Sequence, residues 1–324
     1  MEAKYRQAYN KIKPAENILI ITHVRPDGDA LSSLGTMADL MEKSDKKYTA
    51  FCADKPEGLF SFLPHFEKII SGKDNINFKD FDLIIVLDCG SLSRTGLEEE
   101  IKNKNEGQFI IEFDHHPKID SYAQIEIKIP AATSTAEVLY RFLKANRIRI
   151  TKNMANCILT GILTDTSNFL HQSTSEEAVT IASEMLIHGA QFPAIMRHTW
   201  QNKSLTAMKL WGRALSSLVI NEKYNLAFAV LSIKETGKFK DEEDVFDGIS
   251  TFLGNLYGVK AVMLLREEIT PEGKKQIKGS IRSSHPEVDV SRLATRLGGG
   301  GHAKASGFII EGELEKTANG WRVK

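Results

Sequence analysis

Cysteine is scarce in this sequence, with three residues in 324: Cys52, Cys89 and Cys157. An odd number of widely spaced cysteines forms neither a disulfide framework nor the paired spacing of a zinc site. Long apolar runs are also missing, since the longest spans only residues 226–231 and is too short to cross a bilayer. The first seven residues lack the apolar core of a signal peptide. We therefore expect a cytoplasmic protein with no membrane partner.

An overall excess of charge is absent as well, because 42 Lys and Arg residues balance 42 Asp and Glu residues. The protein as a whole is therefore not a general polyanion binder, and we expect no duplex DNA partner. From Gly258 onward, twelve basic residues accompany eight acidic ones, which leaves 30 basic and 34 acidic residues before it. The acidic part before Gly258 suits cation binding, and the basic part from Gly258 onward suits anion binding. Chance variation of surface residues would produce the same imbalance.

The pattern of apolar residues predicts two domains, since the chain is longer than a usual single domain. In the first half, apolar strands at 17–22, 82–87 and 108–113 alternate with helical patterns. This alternation indicates an α/β domain with a doubly wound, mostly parallel sheet. Segment 59–70 is predicted to be a helix interrupted by Pro64, and segment 192–219 is predicted to be helical and to join the two halves. Strand-like runs near 226–232, 261–266, 276–282 and 308–310 predict a smaller α+β domain. We place the first domain at 1–190, a helical linker at 191–218 and the second domain at 219–324.

Carboxylates and imidazoles occur where several of these elements end. In open α/β sheets, ligands bind beyond the carboxyl ends of the strands, so chemistry is expected there. Alone, an Asp-Gly-Asp turn or a pair of histidines is as easily a solvated strand end, but four separate segments share the pattern. They are the loop with His23, Asp27 and Asp29, the strand end at Asp88, the run Asp114-His115-His116, and Asp165.

Such a donor set favours a divalent cation. Clustered carboxylates repel one another unless a cation neutralises them. Carboxylate and imidazole ligands without thiolate favour manganese, magnesium or a related ion. Cys89 beside Asp88 is more simply a small packing residue than a nucleophile.

The basic part of the chain from Gly258 onward contains four consecutive glycines before His302. Because such a run is costly in conformational entropy, we expect unusual backbone angles or a close approach there. Glycine-rich loops often present backbone N–H groups to phosphate, and a flexible linker is the alternative. Arg282, at the end of a predicted strand, can offer a bidentate fork to a phosphate. Lys304 is a weaker candidate.

Together these motifs resemble, in order and over nearly the whole chain, the DHH phosphoesterase superfamily. The resemblance lies in His23-x-x-Pro26-Asp27-Gly28-Asp29-Ala30, the strand ending at Asp88, Asp114-His115-His116, and Thr164-Asp165-Thr166. The segment Gly279-Ser280-Ile281-Arg282-Ser283 and the run Gly298-Gly299-Gly300-Gly301-His302 resemble the associated C-terminal DHHA1 domain. The length is similar to that of the stand-alone nano-RNase and pAp phosphatase group. Ser32 and Ser167 depart from glycines that are common in the family.

The resemblance implies a role for each matching residue. His23, Asp27 and Asp88 would hold one divalent ion, and Asp29, Asp88, His115 and Asp165 the second, with Asp88 bridging. Mn²⁺ is the expected ion, and Mg²⁺ or Co²⁺ are alternatives. His116, turned away from the metals by strand alternation, would meet the phosphate or protonate the leaving oxygen, and Asp114 would orient an imidazole or cap the strand. The substrate's far end would be held across a cleft by Arg282, Ser283, Gly299, Gly300, Gly301 and His302.

The expected function is a two-metal phosphoesterase that hydrolyses very short single-stranded oligoribonucleotides and pAp (3′-phosphoadenosine 5′-phosphate). One alternative is a phosphodiesterase acting on c-di-AMP or pApA. A second is a nucleotide sensor without turnover, which the intact ligands disfavour. An inorganic pyrophosphatase would share the metal motifs, but the Arg282 and glycine elements disfavour it. A homodimer is possible, and the sequence leaves the preferred substrate, the direction of digestion and the native metal open.

Overall fold

The computed structural model describes residues 1–171, 174–236, 243–246, 248–270, 272–317 and 320–324, which divide into two compact units. The first unit is Met1–Asn202 and the second is Lys203–Lys324. No helix in these described ranges is both long and apolar enough to cross a membrane.

The first unit contains a parallel sheet with helices. Its elements are α1 (Glu2–Ile12), β1 (Ile18–Thr22), α2 (Gly28–Lys43), β2 (Tyr48–Cys52), β3 (Ile69–Ser71), β4 (Leu83–Leu87), α3 (Glu98–Lys102), β5 (Phe109–Asp114), β6 (Ile125–Lys128), α4 (Thr135–Ala145), α5 (Lys152–Asp165), α6 (Glu176–Ile187) and α7 (Phe192–Thr199). The strands lie in the order β3-β2-β1-β4-β5-β6 and all pairs are parallel. The predicted doubly wound sheet is confirmed.

Burial on both faces explains why the central strands are continuous apolar runs. Every residue of β1 and of β4 is buried. Side chains alternate between two cores: Ile18 and Ile20 lie in a cluster with residues of α2, α4 and α5, and Leu19 and Ile21 lie in the cluster on the opposite face. The order of the strands reverses between β1 and β4, since β2 follows on one side and β5 on the other. This switch point is where an open α/β sheet provides a ligand crevice.

The second unit is a mixed sheet with shorter helices. Its elements are α8 (Leu205–Ser216), β7 (Val219–Asn221), β8 (Leu226–Leu231), α9 (Ile233–Thr236), α10 (Ile249–Leu253), β9 (Ala261–Ile269), β10 (Lys275–Arg282), α11 (Ser291–Arg296), β11 (Gly300–His302), β12 (Ala305–Glu311), β13 (Leu314–Thr317) and β14 (Gly320–Val323). One sheet has the order β11-β12-β10-β9-β8-β7, in which only the β8–β9 pair is parallel among the described pairs. The predicted α+β character is confirmed.

One predicted helix is wrong, and one predicted helical segment is divided into two helices. Segment 59–70 contains short 3-10 turns at Gly58–Phe60 and Phe66–Lys68 and then enters β3. Pro64 and the left-handed backbone of His65, at φ 65°, prevent a continuous helix. Segment 192–219 is mostly helical, as predicted, but it forms two helices. Helix α7 ends at Thr199, and α8 begins after Ser204, whose side chain accepts the N–H of Ala207. These two helices belong to different units.

Candidate metal centre and phosphate-binding residues

The candidate metal ligands lie at the carboxyl ends of three adjacent strands. His23 follows β1, Asp88 follows β4, and His115 follows β5, which ends at Asp114. Two helices supply the other carboxylates. Asp27 is the N-cap of α2, where its Oδ1 accepts the N–H of Ala30 at 3.1 Å, and Asp29 follows in the first turn. Asp165 is the last residue of α5.

These side chains form two groups that share Asp88. His23 Nε2 lies 3.7 Å from Asp27 Oδ2 and 3.8 Å from Asp88 Oδ2. His115 Nε2 lies 3.6 Å from Asp88 Oδ1 and 3.4 Å from Asp165 Oδ2. Ligand atoms of His23, Asp27 and Asp88 lie within 4.8 Å of one another, as do those of Asp29, His115 and Asp165. Asp88 thus turns one carboxylate oxygen toward each group.

The tautomers of His23 and His115 fit metal coordination. His23 Nδ1 lies 2.8 Å from the carbonyl oxygen of Val24, and His115 Nδ1 lies 3.4 Å from that of Ala132. Because a carbonyl only accepts, each Nδ1 carries a proton, and each ring turns its Nε2 toward carboxylates, where it can bind a metal ion through its lone pair. The Nε2 of His23 is buried and has no hydrogen-bond partner within the described residues. A cation between the lone pair and the carboxylates removes their mutual repulsion.

The carboxylates also need a counter-charge. Burial, together with the charges of neighbouring aspartates, raises the pKa of Asp88 and of Asp165 well above the usual range. The same causes raise the pKa of Asp29 to about 7. Isolated buried carboxylates are driven toward the neutral form in this way, whereas a bound cation favours the ionised form. The donor set therefore suits a hard divalent ion.

The N-terminus of α4 is part of this centre, although it was not predicted from the sequence. The backbone N–H groups of Thr135 and Ala136 donate to the two oxygens of Asp29, at 2.6 and 3.0 Å. The hydroxyl of Thr135 donates to Asp88 Oδ1 at 2.8 Å. A helix N-terminus stabilises an anion through its unpaired N–H groups. The Ser134-x-x-Glu137 capping box signals that a helix begins here, but it carries no information about which carboxylate the helix meets.

Asp114 and His116 form a hydrogen-bonded pair beside the metal ligands. Asp114 Oδ1 accepts from the ring Nδ1 of His116 at 2.8 Å and from its backbone N–H at 2.9 Å. Asp114 Oδ2 accepts the N–H of Gly90 at 2.8 Å. His116 was expected to turn away from the metals, but its Nδ1 lies 3.5 Å from Asp88 Oδ1, and ligand atoms of Asp88, His115 and His116 lie within 4.8 Å of one another. Strand alternation does not apply because β5 ends at Asp114.

A buried ion pair supports Asp114. Lys128 Nζ lies 2.9 Å from Glu112 Oε1 and 3.6 Å from Asp114 Oδ2, and all three side chains are almost fully buried. Tyr122 donates its hydroxyl to the same Glu112 oxygen at 2.5 Å. Cys89, by contrast, packs in the apolar cluster, and burial raises its thiol pKa well above the usual range. Such a thiol remains protonated at neutral pH and is not a nucleophile.

The two serines at positions of common family glycines occupy different environments. Ser167 has a left-handed backbone with φ 49°, followed by Asn168 at 59° and Phe169 at 66°. Glycine adopts such angles without steric cost, which accounts for its frequency there. The hydroxyl of Ser167 lies 3.0 Å from His171 Nε2. Ser32 is buried in α2, where its Cβ is close to Gly161 of α5.

Arg282 ends β10 and is half-buried, with its Nε fully buried. Its Nη1 donates to the carbonyl of Ile281 at 3.1 Å, and its Nε has no partner among the described residues. Burial lowers the pKa of Arg282. It lines a pocket of about 190 Å³ together with Arg266 and Lys278, among others. A half-buried guanidinium with an unused N–H group is suited to an anion.

Ser283 and Lys304 are engaged within the fold. The Ser283 hydroxyl donates to the carbonyl of Lys260 at 2.6 Å and accepts the N–H of His285 at 3.2 Å. Lys304 Nζ donates to three backbone carbonyls, those of His285, Pro286 and Val288. These contacts stabilise the turn after β10, and we assign neither side chain to the substrate.

The glycine run is a structured edge of the sheet, so the flexible-linker alternative is wrong. Gly300–His302 forms β11, which pairs antiparallel with β12. The expected unusual angles and close approach are confirmed: Gly298 has φ 76° and Gly301 has φ 133°. A Cβ added at Gly299 would lie 2.1 Å from the carbonyl oxygen of Gly307. β11 is exposed, and its backbone is accessible to a ligand.

Comparisons with known proteins agree with this arrangement. Residues 17–162 match the N-terminal domain of the DHH family, and residues 223–319 match the DHHA1 domain. A bifunctional oligoribonuclease and PAP phosphatase NrnA from Thermus thermophilus is 30% identical over 95% of this chain and 89% of its own. The protein of the same name from Bacillus subtilis is 28% identical over 91% and 90%. The crystal structure of an exopolyphosphatase-related protein from Bacteroides fragilis has a TM-score of 0.85 and 28% identity, covering 95% of this chain and 91% of that one.

Proposed function

The chain belongs to the DHH family, and from this membership we propose that it hydrolyses very short oligoribonucleotides and pAp. The relatives named above carry these two activities in their names and span nearly the whole chain. The observation that carries the chemistry is the buried Nε2 of His23, whose lone pair faces two carboxylates without a hydrogen-bond partner among the described residues. That arrangement supports a metal-dependent phosphoesterase.

We assign two divalent ions to the two ligand groups. His23, Asp27 and Asp88 would hold one ion, and Asp29, Asp88, His115 and Asp165 the other. Oxygen and imidazole donors without thiolate favour manganese, with magnesium or cobalt as alternatives. When bound, two such ions activate water and stabilise the attacking and leaving oxygens of an in-line displacement. Thr135 and the N-terminus of α4 keep the carboxylates of Asp88 and Asp29 in orientation.

His116 is the proposed general acid. Asp114 holds the Nδ1–H of this ring, which directs the opposite nitrogen away from the strand end. In the doubly protonated ring, Nε2 donates its proton to the leaving oxygen as the phosphoester bond breaks. The carboxylate of Asp114 stabilises that imidazolium, and Lys128 keeps Asp114 itself ionised.

The second unit contributes the proposed anchors for the rest of the substrate. Arg282 offers a half-buried guanidinium whose Nε has no partner among the described residues, and Gly300 and Gly301 lie beside His302 on the exposed strand β11. We propose that these groups bind the phosphate and ribose that are not attacked, because guanidinium forks and glycine backbones are suited to phosphate oxygens. The N–H of Gly299 already donates to the carbonyl of Ala294 at 2.8 Å, so Gly299 serves the fold of this loop.

The test is a direct comparison of substrates. Purified protein with manganese is offered pAp, pApA, c-di-AMP, RNAs of two to five nucleotides, and pyrophosphate, and released phosphate or nucleotide is measured. The expected result is hydrolysis of pAp and of the short RNAs that is lost with a chelator and restored by manganese. Faster hydrolysis of c-di-AMP or pApA would replace the proposed substrates. Tight binding of pAp without release of phosphate under any divalent ion would instead identify a sensor.

A further inference from the structure

The turn after β4 carries an arginine to which no role has been assigned. Arg94 lies in the 3-10 turn Leu92–Thr95. Its carbonyl oxygen accepts the N–H of Val24 at 2.8 Å, which joins this turn to the loop that follows β1. Arg94 therefore lies next to both loops that provide ligands to the first candidate metal group, the loop with His23 and the loop with Asp88.

The side chain of Arg94 extends toward His116. Gly90, with φ 70°, lies between the two groups, and a Cβ added there would be 3.3 Å from Arg94 Nη1 and 3.4 Å from His116 Cγ. A side chain at this position would fill the space that the guanidinium and the imidazole share. Glycine avoids these tight contacts and adopts the left-handed backbone without steric cost.

The charge of Arg94 is not neutralised locally. The side chain is half-buried, and within the described parts of the chain its guanidinium makes no hydrogen bond and no ion pair. A half-buried guanidinium without a partner is suited to an anion with two acceptor oxygens.

We propose that Arg94 binds a non-bridging oxygen of the phosphate under attack, beside His116. This inference rests on the proposed function. It gives Arg94 a task different from that of Arg282, which is assigned to the part of the substrate that does not react. Because every phosphoester places the reacting phosphate at the metals, Arg94 matters equally for a natural substrate and for a generic ester.

The experiment compares Arg94→Ala and Arg94→Lys with Lys102→Ala as a control. Lys102 lies on the next helix, is exposed and pairs with Glu98 at 2.7 Å, so its removal changes the net charge equally. Activity is measured on pAp and on bis-p-nitrophenyl phosphate. We expect Arg94→Ala to lower kcat/KM roughly ten- to a hundredfold on both, as for a lost charge-assisted bond. Arg94→Lys should lose less, and added guanidinium ion should restore part of the activity of Arg94→Ala.

Binding provides a readout that does not need turnover. Calorimetric titration with inorganic phosphate should show weaker binding to Arg94→Ala than to the wild type, with and without manganese, and unchanged binding to Lys102→Ala. Unchanged kcat/KM on the generic ester, a loss confined to pAp, or an equal loss in Lys102→Ala would overturn the assignment. So would a lowered melting temperature without rescue by guanidinium. A wild type that cleaves the generic ester but not pAp would refute the proposed substrate and leave the Arg94 test intact.

Discussion

Among single residues, Asp88 combines a strained backbone with neighbouring carboxylates that a bound metal ion would neutralise. It is a non-glycine residue with a left-handed backbone, φ 61°, at the end of a fully buried strand. Its carboxylate accepts a hydrogen bond from Thr135 and also faces imidazoles and other carboxylates. Strained backbone of this kind costs about 1–3 kcal/mol and persists where the surrounding structure compensates for it.

Asp88→Asn is predicted to abolish activity and to change the pH dependence of stability. Asparagine tolerates the left-handed backbone, so the fold should persist, while kcat/KM should fall about a hundredfold or more because both groups lose a shared anionic ligand. Folding raises the pKa of Asp88 above 3.8, so its stabilising contribution is complete below that pH and disappears as the pH rises. In EDTA, the variant should therefore become more stable than the wild type as the pH rises from about 4 to 8 in urea unfolding. With manganese in place of EDTA, the wild type should be more stable than the variant.

Asp39 provides a control for which the opposite pH dependence of stability is expected. Burial opposes its ionisation, but hydrogen bonds from Thr151, His65 and Asn153 outweigh burial and lower its pKa. A carboxyl with a lowered pKa stabilises the fold above its unfolded pKa, so Asp39→Asn should become less stable than the wild type as the pH rises. Parallel pH trends for the two variants would show that repulsion among the metal ligands does not govern the stability of the metal-free protein.

Among the elements of the fold, β11 shows why a run of glycines can be rigid. It is the edge strand of the second sheet, and its neighbours approach too closely for side chains at two of the four glycines. Gly299 is adjacent to the backbone of Gly307 and Phe308, and Gly301 to that of Ala305. A Cβ added at Gly300 would meet no described atom within 4 Å, so packing does not require glycine there.

Two neighbouring substitutions separate packing from phosphate binding. Gly299→Ala should destabilise the second unit by about 1–3 kcal/mol, because the new Cβ meets backbone that cannot move aside. Gly300→Ala should leave the unfolding free energy nearly unchanged in urea titrations. If the strand approaches a phosphate, however, Gly300→Ala should raise the KM for pAp. Unchanged stability of Gly299→Ala would contradict the packing argument, and an unchanged KM for Gly300→Ala would remove this glycine from the substrate site.

Across the full chain, the candidate metal ligands and the proposed anchors belong to different units. Every proposed metal ligand lies in Met1–Asn202, whereas Arg282 and His302 lie in Lys203–Lys324. The basic surplus after Gly258 agrees with an anion-binding role for the second unit. If the first unit supplies the chemistry, the second should act through the binding energy of the parts of the substrate that do not react.

Arg282→Ala and His302→Ala are therefore predicted to be selective. Loss of a charge-assisted contact of about 1.5–3 kcal/mol should lower kcat/KM for pAp and short RNA by roughly ten- to a hundredfold. Bis-p-nitrophenyl phosphate, which lacks the second phosphate and the ribose, should lose much less, and manganese affinity should not change. Arg322→Ala, which removes an exposed arginine paired with Glu315, is the control. Equal losses on both substrates would falsify the division of roles.

Much of the fold and the chemical type of the candidate site followed from local patterns. A strand buried on both faces must be an apolar run, so β1, β4 and β5 are visible in the sequence, and a polar residue directly after such a run must lie at the sheet edge. Short or half-exposed elements carry a weaker pattern. Strand β6, whose residues alternate between buried and half-buried, and the 3-10 turns around Pro64 were therefore missed or assigned to the wrong type.

The identity of the possible ligands was readable from the sequence, because donor type and position after a strand are local properties. Their orientation came from the folded chain alone. Thr135 donates to Asp29 from 106 residues away, and no local pattern specifies which helix N-terminus meets which carboxylate. The same holds for the carbonyl of Ala132 that lies beside His115 Nδ1 and for the approach of Arg94 and His116 to Gly90. Such pairings depend on packing among distant segments, and that packing exists only once the chain has folded.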